Sequence, residues 1–253
     1  MLSVETIRFA NEHEALLAHV RQDTPADVII AALKLPRPRA LICLNGGTAE
    51  LSETLKMQLR RLLVDGLARV AAENAITLVT GGTDAGIFSL LGEGLAKWGR
   101  QAPCLGVTPS TPVIWPGRSQ GETALEPHHS HFIVVDGKDW GDETRTMYAV
   151  VRALSQDCSS IAVFAGGGDV TLREMRANVE QGREMILVAG SGRSTDAVLD
   201  IRAGSTPSIQ APQEIASKGR IVRFEIDGSP EQFARLLESR ISPASPNPPT
   251  ANP

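Results

Sequence analysis

The chain has 253 residues, 42% of them hydrophobic and 4% aromatic, with a formal net charge of −4. That is enough apolar material for one folded domain with a core of Ala, Val, Leu and Ile, and it excludes wholesale disorder. The acidic balance argues against a nucleic-acid partner, which needs a basic face, but not against a small anion held by backbone N–H groups.

Residues 1–38 read as an N-terminal appendage. It contains a short strand at 5–9, a helix at 11–21, and an apolar stretch at 26–35 consistent with strand or helix, closed by Pro36 and Pro38. From residue 40 the pattern becomes regular. An apolar run at 40–45 ends in Gly46-Gly47-Thr48, and the spacing of Leu51, Leu55, Leu59, Leu62, Leu67 and Val70 predicts one helix over 50–73. A strand at 76–80 ends in Gly81-Gly82-Thr83, before a helix at 84–97 with Asp84 as its cap. Strands follow at 104–109 and 131–136, then a helix at 142–155 capped by Asp142. A strand over 160–168 ends in Gly166-Gly167-Gly168, and a helix covers 171–181. The next strand, from 184, ends in Gly190-Ser191-Gly192 and leads into a helix at 193–203. A last strand and helix occupy 221–227 and 230–239, and the Pro-rich 241–253 reads as a disordered tail.

Alternating strands and helices predict an α/β fold: a Rossmann-like three-layer sandwich over 39–240, with a mainly parallel sheet and helices on both faces. In such a sheet all four glycine turns fall on one edge, where ligands bind. A strand that stops at glycines and turns into a helix offers free N–H groups and a helix dipole to a phosphate. The plainer reading is that the glycines only shape turns. No P-loop motif occurs.

Other residues carry paired readings. Thr171 and Glu174 have the spacing of a capping box, or Glu174 serves as an acid/base or ribose-binding group. His128, His129 and His131 cluster without a cysteine or carboxylate pattern, so no metal site is assigned. They are read instead as ligand-holding or loop-packing residues. Arg145 and Arg193 are either solvated arginines or clamps for phosphate or carboxylate. The cysteines Cys43, Cys104 and Cys158 form no C-x-x-C pair and read as reduced thiols. No secretory signal pattern and no apolar run of membrane-spanning length is present, so a cytoplasmic protein without a membrane partner is expected.

The stretches LNGGTAEL (44–51), ITLVTGGTDAGIFSLLGEGL (76–95), CLGVTP (104–109), HHSHFIVVDG (128–137), VFAGGGDVTLREM (163–175) and GSGRSTDAV (190–198) together resemble the SLOG superfamily. Within it they are similar to the LSDAT-type domain at the N-terminus of melastatin-type (TRPM) cation channels. The resemblance implies a Rossmann-like fold that senses a nucleotide-derived ligand such as ADP-ribose or NAD, with no resident cofactor. Carried over residue by residue, the ligand loops are Gly46, Gly47 and Thr48; Gly81, Gly82 and Thr83; Gly166 to Gly168 with Thr171; and Gly190, Ser191, Gly192 and Arg193. His128 and His131 are added as ligand-binding candidates. Since a lone sensing module needs a reporter, a homo-oligomer or an unidentified effector protein is the implied partner.

The wider superfamily includes the Lonely Guy phosphoribohydrolases, which cleave the N-glycosidic bond of nucleoside monophosphates. Their P-G-G-x-G-T-x-x-E motif resembles AGGGDVTLRE here. The segment keeps Gly166, Gly167, Thr171 and Glu174, has Ala165 in place of the proline, and carries one extra residue before Thr171. Under that alternative Glu174 and Arg145 are the catalytic candidates, although Thr146 stands where the family has a lysine after the arginine.

Overall fold

The computed structural model describes residues 2–47, 51–207 and 209–241. Its first elements depart from the sequence expectation. Residues 11–21 do not form a helix. Instead β1 (Ser3–Arg8) and β2 (Glu14–Val20) make an antiparallel hairpin. The ambiguous stretch that follows is a helix, α1 (Ala26–Ala32).

β3 (Ala40–Gly46) comes next, then a long helical rod: α2 (Glu53–Arg60), a π-helical stretch (Arg61–Ala68) and α3 (Arg69–Glu73). The single helix expected over 50–73 is thus widened in its middle, where Gly66 lies against Phe233 and Ala68 against Gly94. The chain continues through β4 (Thr77–Thr80), α4 (Gly86–Trp98) and β5 (Cys104–Pro109). Asp84 does not cap α4; Ala85 stands at the cap, and the Asp84 carboxylate accepts from the Ser89 hydroxyl.

Two short strands, β6 (Val113–Ile114) and β7 (Thr123–Ala124), pair with each other. β8 (His131–Val135), α5 (Thr144–Leu154), β9 (Ser159–Ala165), α6 (Asp169–Glu180) and β10 (Glu184–Ala189) follow. The chain then forms α7 (Arg193–Arg202), α8 (Gln213–Lys218), β11 (Ile221–Glu225) and α9 (Pro230–Ile241). Asp142 lies two residues before α5 and accepts from the Lys138 and Asp139 N–H groups instead of capping the helix. Of the tail expected over 241–253, Ile241 instead ends α9 and is buried, and the rest lies outside the described residues.

The main sheet runs β1-β2-β8-β5-β4-β3-β9-β10-β11, and every neighbouring pair except β1–β2 is parallel. The segment read as an appendage therefore supplies two of its strands. Alternation along each strand sends side chains to opposite faces. Ile42, Leu44, Val163 and Ile186 face the rod, α4 and α9, with Leu63, Leu91 and Phe233 among the partners. Leu41, Cys43, Phe164 and Leu187 face α1 and α5 to α8, meeting Val150, Met175 and Val198. Each fully buried Leu, Ile or Phe contributes roughly 1.5–3 kcal/mol. The result is the expected three-layer α/β sandwich.

Chain order places the ligand crevice. From β3 the strands step outward through β4, β5 and β8, and then the chain crosses back to β9 on the other side of β3. β3 and β9 thus flank the point where strand order reverses, the usual site of a ligand crevice in open α/β sheets.

Candidate ligand-binding site

Two of the four glycine turns close the strands at this switch point, and a third is tied to them. The Gly47 N–H donates to the Ala165 carbonyl at 3.0 Å, joining the ends of β3 and β9. The Gly166 N–H donates to Ser191 Oγ at 2.8 Å. The hydroxyls of Thr195 and Ser194 donate to the carbonyls of Gly166 (2.8 Å) and Gly168 (3.0 Å), and Arg193 Nε donates to the Gly167 carbonyl (3.0 Å). Gly167 has φ +93°, and a Cβ there would collide with the Thr171 side chain. Thr48 lies outside the described residues.

The turns differ in what they leave free. The N–H groups of Gly190 and Gly192 are both taken by the Asp196 carboxylate, at 2.9 Å each. That makes this turn a brace for Gly166–Gly168. Among the described residues the Gly167 N–H has no acceptor, and the first turn of α6 beside it offers N–H groups with no intrahelical partner. Thr171 does not cap the helix with Glu174. α6 starts at Asp169, so Thr171 is its third residue, and Thr171 Oγ accepts from the Gly168 N–H at 3.3 Å.

Glu174, one turn further on, is 7% exposed. Among the described residues its carboxyl has no hydrogen-bond partner. Burial, reinforced by Glu143, holds it well above the usual carboxylate range. Glu143 precedes α5, is 6% exposed, and accepts from the Gly141 N–H at 2.8 Å. Burial pushes its carboxyl up to about 7, against the backbone N–H groups that favour the charged form. Deeper in, Tyr148 donates to Asn45 Oδ1 at 3.2 Å, Asn178 Nδ2 donates to the Tyr148 oxygen at 2.8 Å, and Arg183 donates to Asn178 Oδ1 at 3.0 Å. Asn45 Nδ2 is buried without a partner among the described residues.

Arg145 lies on the exposed face of α5, with Ala149 and Arg152. Arg193 reaches the crevice through the Gly167 carbonyl, and Arg173 lies on α6 one residue before Glu174. An Arg173 Nη1 lies over Gly141, 2.8 Å from where a Cβ would stand. Sequence reasoning missed Glu143, Asn45, Tyr148 and Arg173. GDETR signalled only a helix start, and nothing in it marked Glu143 as the buried member.

The second glycine turn and the histidines form an adjoining unit. The Gly82 N–H donates to Thr80 Oγ1 at 2.9 Å, and the Ile87 N–H reaches the Gly47 carbonyl at 3.3 Å. Thr83 is buried, and its hydroxyl has no partner among the described residues. His129 is fully buried, 2.7 Å from Thr80 Oγ1 through Nε2 and 2.7 Å from Glu126 through Nδ1. His128 Nδ1 meets the other Glu126 oxygen at 2.7 Å. His128 also borders a cleft of about 640 Å3 with Lys56, Asp84 and Ser89. His131 opens β8 at the opposite edge of the sheet, where burial and Arg100 lower it to about 4. A further groove of about 690 Å3, lined by Arg152, Arg183, Arg220 and Arg240, lies at the starts of β9 and β10, away from the glycine turns.

A mostly parallel nine-stranded sheet with helices on both faces and glycine turns joined at its switch point defines a Rossmann-like α/β domain. Residues 39–235 match the family model described as SLOG in TRPM, prokaryote, and the chain belongs to that family. It is 25% identical over 224 residues to transient receptor potential cation channel subfamily M member 2 of Mus musculus, covering 72% of this chain and 15% of the channel. It is 22% identical over 273 residues to subfamily M member 7 of Homo sapiens, covering 90% of this chain and 14% of the channel. The chain thus corresponds to a small part of these relatives. The X-ray structure of TM1055, a structural genomics target, has the same fold, with a TM-score of 0.52 and 18% identity over 79% of this chain and 98% of that one.

Proposed function

We propose that the protein binds a nucleotide-derived ligand of the ADP-ribose or NAD kind in the crevice between the ends of β3 and β9. The observation that carries this reading is the joining of Gly46–Gly47 to Gly166–Gly168 at the switch point, with the Gly167 N–H unpaired among the described residues beside the start of α6. Phosphate oxygens accept from Gly167 and from the first turn of α6, and Arg193 and Arg173 balance their charge. Membership of a family named for TRPM channels supports a sensing role. Among the described residues no helix is long and apolar enough to cross a membrane.

The test is a calorimetric titration with ADP-ribose, followed by chromatography of the cell contents. Saturable binding with intact ligand is expected. No heat with ADP-ribose, NAD, ADP or AMP overturns the reading.

One observation favours a second reading, cleavage of an N-glycosidic bond: Glu174 is buried, has no partner among the described residues, and burial, reinforced by Glu143, raises its carboxyl well above the usual range. An acid of raised pKa suits transfer of a proton to a leaving base. In this case free adenine appears from AMP and is lost in Glu174→Gln. Unchanged AMP after prolonged incubation removes this alternative.

A further inference from the structure

Glu143 enters no motif of the sequence, yet its carboxylate accepts from the Gly141 N–H, and Gly141 lies against Val170 and Arg173 on the turn of α6 that carries Glu174. Glu143 stands at the residue before α5 and Glu174 lies on α6; the two helices pack on each other, and α6 also meets β3. Both are more than nine-tenths buried. Glu143 has the Gly141 N–H at 2.8 Å, whereas Glu174 has no partner among the described residues. Asn45 Nδ2, nearby on β3, is equally unpaired at 1% exposure. Folded proteins rarely leave buried polar groups unmatched, and such groups gathered at a crevice point to something that matches them.

We propose that Glu143 and Glu174 form a carboxyl pair that receives the pentose hydroxyls of the nucleotide-derived ligand, one accepting as carboxylate and the other donating as carboxylic acid. The inference rests on the ligand reading above. It adds a residue, Glu143, and a chemical requirement, a hydroxyl-bearing sugar. Two neighbouring carboxyls in a dry setting do not both ionise, so the pair keeps a proton near neutral pH. The surroundings agree with this. Asp142 and Arg173 face Glu143 with opposed effects, Asp142 raising its carboxyl and Arg173 lowering it. Glu174 faces Tyr148 and Cys43, both held neutral by burial, and the Arg183 guanidinium reaches the same two groups from the end of α6. A singly protonated pair offers one donor and several acceptors, which matches a vicinal diol. It repels a phosphate, which leaves the phosphates to Gly167, Arg193 and Arg173. Glu143 is thereby a specificity-determining residue.

The experiment compares AMP with 2′,3′-dideoxy-AMP by calorimetry on the full chain, as wild type and as Glu143→Gln and Glu174→Gln. Wild type is expected to prefer AMP by roughly 10-fold or more, the scale of a hydrogen bond to a charged group. Glu143→Gln brings that preference to within about 3-fold while dideoxy-AMP binds as before. If AMP binds but Glu143→Gln keeps the full preference, the pair is overturned and the ligand reading stands. If neither nucleotide binds while ADP-ribose does, the pair is overturned and the ligand reading stands; if ADP-ribose, NAD and ADP give no heat either, both fall. A second readout needs no ligand. In 13C-glutamate NMR spectra, Glu143→Gln must shift the titration of Glu174 to lower pH, and an unmoved titration overturns the pair.

Discussion

His129 Nε2 lies 2.7 Å from Thr80 Oγ1, and that same hydroxyl accepts the N–H of Gly82 at 2.9 Å. With Glu126 on its other ring nitrogen, the histidine makes a line resembling a hydrolase triad. Thr80 and His129 are both fully buried, so no substrate reaches the hydroxyl. The line instead fixes the second glycine turn from beneath. Replacing His129 by Leu leaves Glu126 with His128 alone and is expected to cost about 3 kcal/mol, the low end for breaking a buried pair. A urea unfolding curve measures it, and a loss within error of zero contradicts the role.

The same histidine predicts a pH dependence. Burial opposes its charge, but Cys104 and Glu126 outweigh burial and raise it to about 10 from an ordinary 6.5. A group raised on folding stabilises fully below its ordinary pKa, and that stability is lost as pH climbs through the folded value. Wild-type Tm should therefore fall between about pH 6.5 and about pH 10. His129→Gln should fall less over that window. Glu126 is held low, as His129 and His128 overcome burial, so its contribution is present above the ordinary carboxylate range and lost on acidification. Equal slopes for wild type and His129→Gln above neutrality would show that His129 is uncharged.

Gly82 has φ +72°, and a Cβ there would stand 2.7 Å from the Gly106 Cα, backbone against backbone. Gly82→Ala is expected to destabilise by about 2 kcal/mol or more, from strain and overpacking together. Affinity for ADP-ribose, corrected for the folded fraction, should not change. A ligand defect without a stability defect would make this turn part of the binding surface.

The arginines divide by position. Arg193→Ala removes a guanidinium that spans the Gly167 carbonyl and the crevice, and should weaken ADP-ribose binding about 10-fold or more. Arg145→Ala, on the solvent face of α5, should leave it within about 2-fold. The reverse result in calorimetry would place the phosphate over α5.

Tyr148→Phe deletes the hydroxyl between Asn45 and Asn178. Two buried amides then lose a partner, at a cost of about 1–3 kcal/mol. Thermal unfolding reads it, and an unchanged Tm would show that water replaces the hydroxyl.

Much of this was legible in the chain. The runs at 40–45, 104–109 and 184–189 are short, apolar and closed by turn residues, so local pattern and tertiary burial agree. EALLAHV misled because Ala and Leu favour helices, and its buried residues Ala15, Leu17, Ala18 and Val20 fit either period. Pairing with β1 on one side and with β8, more than a hundred residues away, on the other makes it a strand. The glycine turns were visible as turns. Which of them keep free N–H groups depends on Asp196 and Ser191, whose side chains no spacing rule connects to those amides. Glu143 was hidden for a similar reason: a carboxylate at a helix start is ordinarily solvated, and its burial follows from how α5 meets α6.

The hairpin at the start of the chain sets a practical boundary. The family match begins at residue 39, whereas the sheet begins at Ser3. Trimmed to the matched region, the protein would strip β2 from β8, leaving a row of unpaired N–H and C=O groups on an apolar strand. It would also uncover Phe132 and Val134, which pack with Ile7 and Leu17. Such a strand recruits copies of itself. A shortened version that dispenses with the first twenty residues should therefore precipitate or stack edge to edge, and a failed ligand assay on it would report aggregation rather than chemistry.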